Sequence, residues 1–585
     1  MKKLFRRIKK YKLWLILTGF TIGCANVGEL TGGQTDSEPP LVVKTSPENR
    51  SVGFTDRKII LEFNEYVRLN SATQKLMVSP PLKQQPEIKV RGKSVVITIN
   101  DTLKSDMTYN FDFGDGIADN TEGNPLTDFN YVFSTGTRID SMQIAGKVED
   151  AFSKKPSADI LVMLYKSNQE IDFLKSKPDY VCRTNKEGLF RVKNINDGEY
   201  KIFALNDANS NMLFDQPAEE IAFLDSMLIT SVTSEIKTDT LHNDSTGIDS
   251  LVTRRMIKYS PDNITLNLFA EDNLKQFISK EERKQPYRLD LLMNKPLKGK
   301  ANFEFRGIST SIEDYMVEEY KVKDSVTIWI TDSTIYKEDS IYLLVTIPDV
   351  DSLEKTIQIK DTLLFSYKKP IDKRKKDEKN NTKVLLAEAV TKGGILHPKR
   401  DFIVSFGTPI MSFNKKAIHL FMRQDTSKIE IPFDMKRDTF YLRKYHISAK
   451  WEEGSEYTIL LDSGAVKDYY GMACDSTVFS FSTYTADKYG SLIMTLKKVK
   501  SPLVVQLLNS KGDIQRETVT LKDKKLKFNG LMPGEYRVRV IYDNNKNRKW
   551  DTGKYIFKRQ PEKVQYFEKT ISVKENWEID EDWEL

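Results

Sequence analysis

Two loops of the chain carry oxygen-bearing side chains at a spacing that could bind a metal ion. The side chains belong to Asp207, Asn209, Asn211 and Asp215, and to their copies Asp543, Asn545, Asn547 and Asp551. Oxygen ligands at positions one, three, five and nine are typical of calcium loops, in which a curled backbone turns every second side chain toward the cation. The Gly at position six and the Glu at position twelve of such loops are missing. The spacing therefore predicts either a low-affinity calcium site or a turn capped by its own Asp and Asn side chains.

The C-terminal segment, residues 575–585, is a candidate docking element for a partner protein. It contains Trp577 and Trp583 together with six acidic residues. The segment could add a last strand to the protein's own sheet, or it could pair with a partner's sheet edge and use the tryptophans as anchors. Terminal residues are usually loose unless they are tied down. The sequence therefore favours own-sheet packing for Trp577 and partner docking for Trp583, with a basic groove on the partner.

The sequence predicts no catalytic residues. Its four His are scattered, and it contains no His-Glu-x-x-His, Gly-x-Ser-x-Gly, phosphate-binding or dinucleotide-binding motif. No His has a visible relation to Cys182 or Cys474, so we expect two unpaired, mostly buried thiols instead of a nucleophile or a disulfide. We expect a protein that is not an enzyme and that uses no cofactor, apart from calcium if the two loops bind it.

The charge composition argues against nucleic-acid binding. The chain has 585 residues, of which 90 are basic and 83 acidic, and seven of the basic residues lie among the first 23, which hold no acid. The rest of the chain therefore has no net charge, whereas phosphate binding needs a clustered basic excess. With 39% hydrophobic residues the chain can form packed cores, and its three Cys exclude a disulfide scaffold.

The N-terminus has the pattern of a lipoprotein signal peptide. A basic stretch at 2–12 precedes an apolar stretch at 13–22, which is too short to span a bilayer of about 30 Å but fits a signal-peptide core. Gly23 and Cys24 then follow as a lipobox would, so we expect cleavage after residue 23 and lipidation of Cys24. Ala25 and Asn26 carry no acid that would retain the protein in the inner membrane. The sequence thus favours the outer membrane, on either its periplasmic or its surface face.

Apolar and polar residues alternate along most of the remaining chain, as they do in half-buried β-strands. The alternation places five aromatic side chains in the cores, namely Phe63, Phe111, Phe133, Phe406 and Phe481. Helical periodicity is scarce, and its best candidate is the polar segment 271–283. Residues 225–256 are rich in Ser, Thr and Asp, which predicts a long mobile loop.

Two parts of the chain occur twice. The strand and turn pattern around Tyr109 returns around Tyr457 at an offset of 348 residues, and the pattern around Tyr200 returns around Tyr536 at an offset of 336. An offset that stays constant over many positions indicates an internal duplication. The region between the copies has its own alternating strands, beginning with one at 264–268, and predicts a third sandwich.

The sequence therefore predicts an all-β protein built from tandem, internally duplicated sandwich domains. The segments are a signal peptide at 1–23, a tether at 24–38, a first sandwich at 39–137, a first small β domain at 138–224, a mobile loop at 225–256, a middle β domain at 257–368, a charged linker at 369–382, a second sandwich at 383–486, a second small β domain at 487–574 and an acidic tail at 575–585.

Several of these features resemble a known family. They are Cys24 followed by Gly32-Gly33, Asp36, Pro39-Pro40 and Ser46-Pro47, and the two Gly-Glu-Tyr strands at 198–200 and 534–536. Together they resemble the Ig-like lipoproteins of the Bacteroidota. The resemblance implies bacterial Ig-like sandwiches of the S-layer type, together with transthyretin-like sandwiches of the carboxypeptidase-regulatory or Cna-B type. It implies little about activity, because a fold does not determine function.

Two classes of function remain open from the sequence. The first is a non-catalytic outer-membrane lipoprotein that acts as a structural or interaction scaffold, with membrane lipid and envelope proteins as partners. It could be a subunit of an outer-membrane assembly, or an adhesion or glycan-binding surface protein. The second class is a hydrolase in which the Ig-like domains are spacers. The sequence favours the first class because no catalytic motif supports the second.

Overall fold

The computed structural model describes residues 36–127, 129–166, 175–216, 218–241, 250–272, 275–311, 313–320, 322–351, 355–367, 384–390, 394–425 and 427–585. The predicted signal peptide with Cys24 and the predicted linker at 369–382 lie outside these residues. Strands account for nearly all regular structure in the described part of the chain. Helices there are short, namely α1 (Ala72–Lys75), α2 (Ser333–Tyr336) and 3₁₀ turns at Lys415–Ala417, Ala486–Lys488 and Tyr555–Phe557. The all-β prediction is confirmed.

The chain divides into two compact units. The first comprises the residues up to Glu149 together with Pro156–Asp215 and Ile221–Leu268. The second comprises Asp150–Lys155, Gln216–Glu220 and Phe269–Leu585.

The first sandwich lies in the first unit. Its strands are β1 (Val42–Ser46), β2 (Lys58–Phe63), β3 (Val67–Leu69), β4 (Met77–Ser79), β5 (Glu87–Arg91), β6 (Ser94–Thr98), β7 (Thr108–Asp112), β8 (Ile117–Asp119) and β9 (Asn130–Ser134). They form sheets of order β1-β2-β6-β5, β4-β7-β9 and β3-β8 around one core. Phe63, Phe111 and Phe133 are all buried in this core, as the alternation predicts.

The first small β domain forms a single sheet of order β12-β11-β14-β15-β19-β10-β13, with β16 paired to β14. Its strands are β10 (Met142–Asp150), β11 (Leu161–Lys166), β12 (Tyr180–Arg183), β13 (Leu189–Ile195), β14 (Glu199–Leu205), β15 (Glu220–Phe223), β16 (Leu228–Ile229), the hairpin strands β17 (Ser231–Leu241) and β18 (Ser250–Ser260), and β19 (Ile264–Ala270). Strand β19 was expected in the middle β domain. It instead pairs within this sheet, where Leu266 and Leu268 complete the core.

The segment predicted as a mobile loop, 225–256, forms strands instead. Strands β17 and β18 pair antiparallel over eleven residue pairs, from Ser231–Ser260 to Leu241–Ser250. The polar composition hid this hairpin because its strands pair through backbone groups, and none of the side chains described on it, at 231–236 and 255–260, is buried. Val232, Ile236 and Ile257 are all exposed on it.

The middle β domain is a sandwich, as predicted. Its strands are β20 (Ile278–Gln285), β21 (Arg288–Met293), β22 (Asn302–Phe305), β23 (Tyr315–Glu319), β24 (Ser325–Ile330), β25 (Ser340–Val350) and β26 (Thr356–Ser366). Sheets of order β20-β21-β24-β23 and β22-β25-β26 enclose its core. The helix considered for 271–283 does not form. Strand β20 begins within that segment and pairs antiparallel with β21, so its polar residues lie on a sheet edge.

The second sandwich repeats the design of the first. Its strands are β27 (Ala387–Ala389), β28 (Ile395–Leu396), β29 (Phe402–Phe406), β30 (Ile410–Phe413), β31 (Ile418–Gln424), β32 (Ser427–Glu430), β33 (Asp434–Arg437), β34 (Lys444–Ser448), β35 (Glu456–Leu461), β36 (Val466–Asp468) and β37 (Thr477–Thr483). Sheets of order β27-β29-β34-β33 and β28-β37-β35-β31-β32 enclose a core that contains Phe406 and Phe481.

Matching hydrogen bonds confirm the duplication of the sandwiches. Tyr109 is the register partner of Phe133, and Tyr457 is the register partner of Phe481. The hydroxyl of Tyr109 accepts a hydrogen bond from a backbone N–H five residues earlier at 2.8 Å, and that of Tyr457 does the same at 2.6 Å. The offset of 348 residues thus superposes strands and side-chain contacts alike.

The second small β domain consists of β38 (Gly490–Lys497), β39 (Leu503–Asn509), β40 (Ile514–Thr520), β41 (Lys524–Leu531), β42 (Gly534–Tyr542), β43 (Val564–Tyr566), β44 (Ile571–Val573) and β45 (Glu578–Glu584). Its sheets have the orders β41-β38-β45 and β40-β39-β42-β43, with β44 paired to β42. Tyr536 donates to the carbonyl four residues earlier at 2.8 Å, as does Tyr200 in the first copy. Strand β45 lies beside β38 as β19 lies beside β10, so the predicted tail completes this domain.

Candidate binding site

The two predicted calcium loops curl into the same closed conformation. Both carboxylate oxygens of Asp207 accept backbone N–H groups, from Asn211 at 3.2 Å and Met212 at 2.9 Å. The amide groups of Asn209 and Asn211 donate to Asp215 at 3.0 and 2.8 Å. The second loop repeats these contacts at Asp543, Asn545, Asn547 and Asp551. Both loops therefore have the geometry of Asx-capped turns, in which the carboxylates already accept hydrogen bonds.

Calcium binding by these loops stays a prediction. A ligand set with only two carboxylates gives weak affinity, so we expect a dissociation constant no lower than about 1 mM. Titration calorimetry of the full chain with calcium, compared with a variant carrying Asp207→Asn and Asp543→Asn, measures this. Heat that the double variant removes would support the site, whereas absence of heat at millimolar calcium would leave only the turn. Among the described residues, no group of three or more His, Cys, Asp and Glu side chains is arranged to hold a metal ion.

Both described cysteines are free thiols. Cys474 is buried in the core of the second sandwich. Burial also raises the pKa of the Cys182 thiol to about 12, so it stays protonated at neutral pH. Because the thiolate is the reactive form, Cys182 is a poor nucleophile.

Trp583 lies in the protein's own core, contrary to the docking role predicted for it. Strand β45 pairs parallel with β38 over seven residue pairs, from Ser491–Glu578 to Lys497–Glu584. The Trp583 side chain is 9% exposed and contacts Phe567, with the ring centroids 5.5 Å apart. The sequence could not show this contact, because Phe567 and the indole ring of Trp583 become neighbours only when the domain folds.

The acidic residues of the tail also find partners within the same domain. Each of the six faces a lysine, in the pairs Glu575–Lys488 at 2.9 Å, Glu578–Lys527 at 2.8 Å, Asp580–Lys525 at 3.1 Å, Glu581–Lys569 at 2.9 Å, Asp582–Lys497 at 2.6 Å and Glu584–Lys498 at 2.5 Å. Hydrogen bonds from Lys527 and Lys497 lower the pKa values of Glu578 and Asp582. The basic groove expected on a partner is thus the neighbouring surface of the protein itself.

Trp577 has the exposure that was expected of Trp583. It lies just before β45, and 57% of it is exposed. The ammonium group of Lys574 sits 4.8 Å from the ring centroid, in a cation–π contact on the surface. The own-sheet packing favoured for Trp577 is therefore not what the structure shows, and Trp577 is the exposed tryptophan of the tail.

Trp577 borders a cleft that we call the junction cleft. The cleft consists of two cavities of about 410 and 360 Å³, both lined by His397, Tyr489 and Gly530. The larger cavity continues to Arg400 and Arg516, and the smaller one to Trp577. The volumes fall in the range of small-ligand pockets, about 300–1,000 Å³.

The residues shared by the two cavities are held by direct contacts. The His397 and Tyr489 rings have centroids 4.9 Å apart, and Tyr484 lies 5.2 Å from Tyr489. Gly530 has a φ of +64°, and a side chain there would meet His397 Nε2 at 3.0 Å. A glycine at this position therefore permits the close approach of the imidazole.

Charges of both signs line the junction cleft, namely Arg400, Arg516 and Lys399 together with Asp401, Glu453 and Glu578. Burial, followed by the charges of Arg400, Arg516 and Lys399, lowers the pKa of His397. The Lys399 N–H donates to His397 Nδ1 at 3.0 Å, which places the remaining imidazole proton on Nε2. Burial raises the pKa of Tyr489 to about 12, and its hydroxyl has no hydrogen-bond partner among the described residues. The cleft thus combines aromatic rings and charged side chains with a buried hydroxyl group that has no described partner.

Residues 36–135 match the family model of the bacterial Ig-like domain (Big_5). The match covers the first sandwich and confirms the Ig-like fold that the resemblance implies for it. The second sandwich repeats the strand pairings of this bacterial Ig-like domain and adds strands β28 and β32 at the ends of one sheet. No curated protein matches the chain.

The solved structures that the chain is similar to include a pilin subunit and a surface layer protein. The major pilin subunit BcpA of Bacillus cereus is 12% identical over 76% of this chain and 99% of its own, with a TM-score of 0.15. The surface layer protein SbsC, domains 1–6, is 12% identical over 92% of this chain and 68% of its own, with a TM-score of 0.14. Likenesses at these identities and TM-scores carry no argument about function.

The sequence did not reveal the junction cleft. Its residues come from six separate stretches, at 390–403, 453, 484–491, 515–516, 530–536 and 576–578, and each stretch alone looks like a polar loop or a strand end. One signal was present, because Lys399, Arg400 and His397 cluster within four residues. In the described part of the chain, no helix is long and apolar enough to cross a membrane.

Proposed function

We propose that this protein is a non-catalytic interaction scaffold of the bacterial cell envelope, held to the outer membrane by a lipid on Cys24. The observation that carries the proposal is the array of duplicated β-sandwich cores, together with the bacterial Ig-like domain at 36–135. Trp577 is the one described tryptophan that is more than half exposed. In the sequence it lies far from the proposed lipid anchor at Cys24. The partner is an envelope protein that covers this tryptophan.

A buried cluster in the second unit supports a scaffold role. The ring of Trp329 lies between the guanidinium groups of Arg288 and Arg443, at 5.1 and 5.3 Å from its centroid. Its indole N–H donates to the buried Glu318 at 2.9 Å, and Arg443 donates to the same oxygen at 3.1 Å. Arg443 belongs to the second sandwich and the others to the middle β domain. Contacts of this kind hold neighbouring domains at a fixed spacing, which a scaffold requires.

We expect Cys24→Ala to release the protein from the membrane. Without the thiol no lipid can be attached, and several acyl chains are what hold a lipoprotein stably to a bilayer. Cell fractionation, with the acylated form detected by mass spectrometry, measures the change. Ser37→Ala, in the same N-terminal segment, is the control and should leave the protein in the membrane fraction. A Cys24→Ala chain that is processed normally and stays in the membrane would contradict the anchor.

We expect a photo-reactive phenylalanine analogue at position 577 to cross-link one envelope protein in intact cells. The side chain is exposed, and large aromatic residues dominate binding energy when a partner buries them. The same analogue at Phe440, which is 51% exposed in the second sandwich, is the matched control. Mass spectrometry of the adduct identifies the protein. No adduct at 577, or the same adducts at 577 and 440, would contradict the docking role of Trp577.

A further inference from the structure

We infer that the hairpin of β17 and β18 is a self-association element, in which β17 pairs antiparallel with β17 of a second copy of this chain. The pairing joins two hairpins into one four-stranded sheet around a two-fold axis at Ile236. This inference goes beyond the proposed scaffold role, because it depends on neither the lipidation of Cys24 nor the exposure of Trp577.

The duplicated small β domains show that the hairpin is an addition to the fold. In the second copy, residues 574–577 lead directly from β44 to β45, the strand that completes that domain. In the first copy, residues 230–263 stand between the corresponding strands β16 and β19, and the hairpin lies within them. The second copy thus completes its domain without a hairpin. The hairpin of the first copy is therefore free to serve a role other than folding.

The hairpin is a ribbon with open edges. Its two strands pair over eleven residue pairs without a bulge, and no further described strand joins their sheet. A two-stranded ribbon alone is marginally stable in water, and additional strands strengthen it. Long edges usually carry Pro, bulges or charges that prevent them from pairing with another chain. Strand β17 has no Pro and no bulge, so its outer edge is available for pairing.

The midpoint of β17 is the most exposed large apolar side chain in the described part of the chain. This residue is Ile236, and 75% of it is exposed. When two β17 strands pair antiparallel over their full length, the midpoint residues lie opposite each other. The two Ile236 side chains then become neighbours on one face of the sheet. The pairing therefore removes from water the apolar side chain that is most exposed to it.

The charges beside Ile236 complement each other in this register. Its neighbours in sequence are Glu235 and Lys237, so each Glu235 lies opposite Lys237 of the second copy. Opposite charges directly across an antiparallel pair stabilise it, and like charges destabilise it. Moving the axis to Glu235 would place two Glu opposite each other, and moving it to Lys237 would place two Lys opposite each other. The sequence of β17 therefore selects the pairing of full length.

Strand β18 does not offer the same pairing. Its midpoint is the exposed Arg255, so full-length pairing of two β18 strands would place two arginines opposite each other. Two β17 strands therefore form the centre of the sheet, and the β18 strands form its edges. A two-fold axis of this kind closes the assembly at two copies.

Disulfide formation in the full chain tests the inference. In intact cells oxidised with copper phenanthroline, we expect Ile236→Cys to give a linked dimer of twice the chain mass. Residues directly opposite in an antiparallel pair have Cα atoms about 4.5–5.5 Å apart, which a disulfide can span. The matched control is Ile257→Cys, because Ile257 is 58% exposed on β18 of the same hairpin. Its two copies would lie three strand spacings or more apart, about 14 Å, and should not link.

Reversal of the charges tests the register. In the Ile236→Cys chain, Glu235→Lys should lower the yield of dimer roughly tenfold, because it places two pairs of like charges across the axis. Adding Lys237→Glu should restore the yield.

Three results would overturn the inference. They are absence of a linked dimer for Ile236→Cys, equal yields for Ile236→Cys and Ile257→Cys, and a yield that Glu235→Lys leaves unchanged. A disulfide from position 236 to a different protein would overturn it as well. None of these results bears on the Cys24 anchor or on docking at Trp577, so failure here and failure of the proposed function can be told apart.

Discussion

Replacing Phe133 by Ala is expected to lower the free energy of unfolding of the first sandwich by about 3–5 kcal/mol, from lost transfer energy plus the cavity left behind. Phe133 is fully buried and is the centre of an aromatic cluster. Its ring stacks on Phe54 with centroids 3.8 Å apart and lies 5.4 Å from Tyr109. A neighbouring strand or loop cannot fill the space, because β9 is held in register by β7.

Hydrogen exchange followed by mass spectrometry measures this change within the intact chain. A chain with several cores does not unfold in one step, so protection must be followed in peptides of the first sandwich. Tyr66→Ala is the control, since Tyr66 is 62% exposed in the same sandwich and should cost less than about 0.5 kcal/mol. Equal loss of protection in the two variants would contradict the central role of Phe133.

The cores could be predicted because period-two alternation reports burial directly. Phe63, Phe111, Phe133, Phe406 and Phe481 each lie on the apolar side of an alternating strand, and each is buried. The duplication was equally readable, since matching residues at a constant offset occupy matching strands. Both features depend on neighbours along the chain, and that information is present in a single sequence.

Features that depend on distant residues could not be predicted. Strand β19 reads as an ordinary alternating strand, and nothing in its residues states that its partners are β10 and β15. The side chains described on the hairpin of β17 and β18 are not buried, and its composition resembles that of a loop. The junction cleft joins stretches that lie as far apart in the printed sequence as His397 and Trp577, and its cavities form only when they meet. In each case tertiary packing, not local propensity, decides the outcome.

The tail shows the same principle in its two tryptophans. Proximity to the chain end favoured a loose Trp583 and a packed Trp577. The parallel pairing of β45 with β38 reverses this, because it carries Trp583 over the core and leaves Trp577 in the turn before the strand. A residue two positions from the end is buried here because the strand that carries it is tied down along its whole length.

Deleting residues 576–585 is therefore expected to destabilise the second small β domain strongly. The deletion removes all seven residue pairs with β38 and leaves that strand as an open sheet edge. It also removes the indole that contacts Phe567, and loss of a buried Trp side chain alone costs about 3–5 kcal/mol. Hydrogen exchange in peptides covering β38 and β41 should show protection falling by at least the amount that Trp583→Ala produces.

Trp577→Ala separates the two roles of the tail. Because Trp577 is exposed, its truncation should change stability by less than about 0.5 kcal/mol, while the proposed partner protein loses a contact. Unchanged protection after the deletion would mean that β45 is not part of the domain core, and the whole tail would then be free to dock on a partner. Lost protection after the deletion, with none lost in Trp577→Ala, assigns packing to Trp583 and binding to Trp577 within a segment of eleven residues. Burial of Trp583 and exposure of Trp577 would then follow from strand β45, which begins after Trp577 and carries Trp583. The distance of each tryptophan from the end of the chain would not decide it.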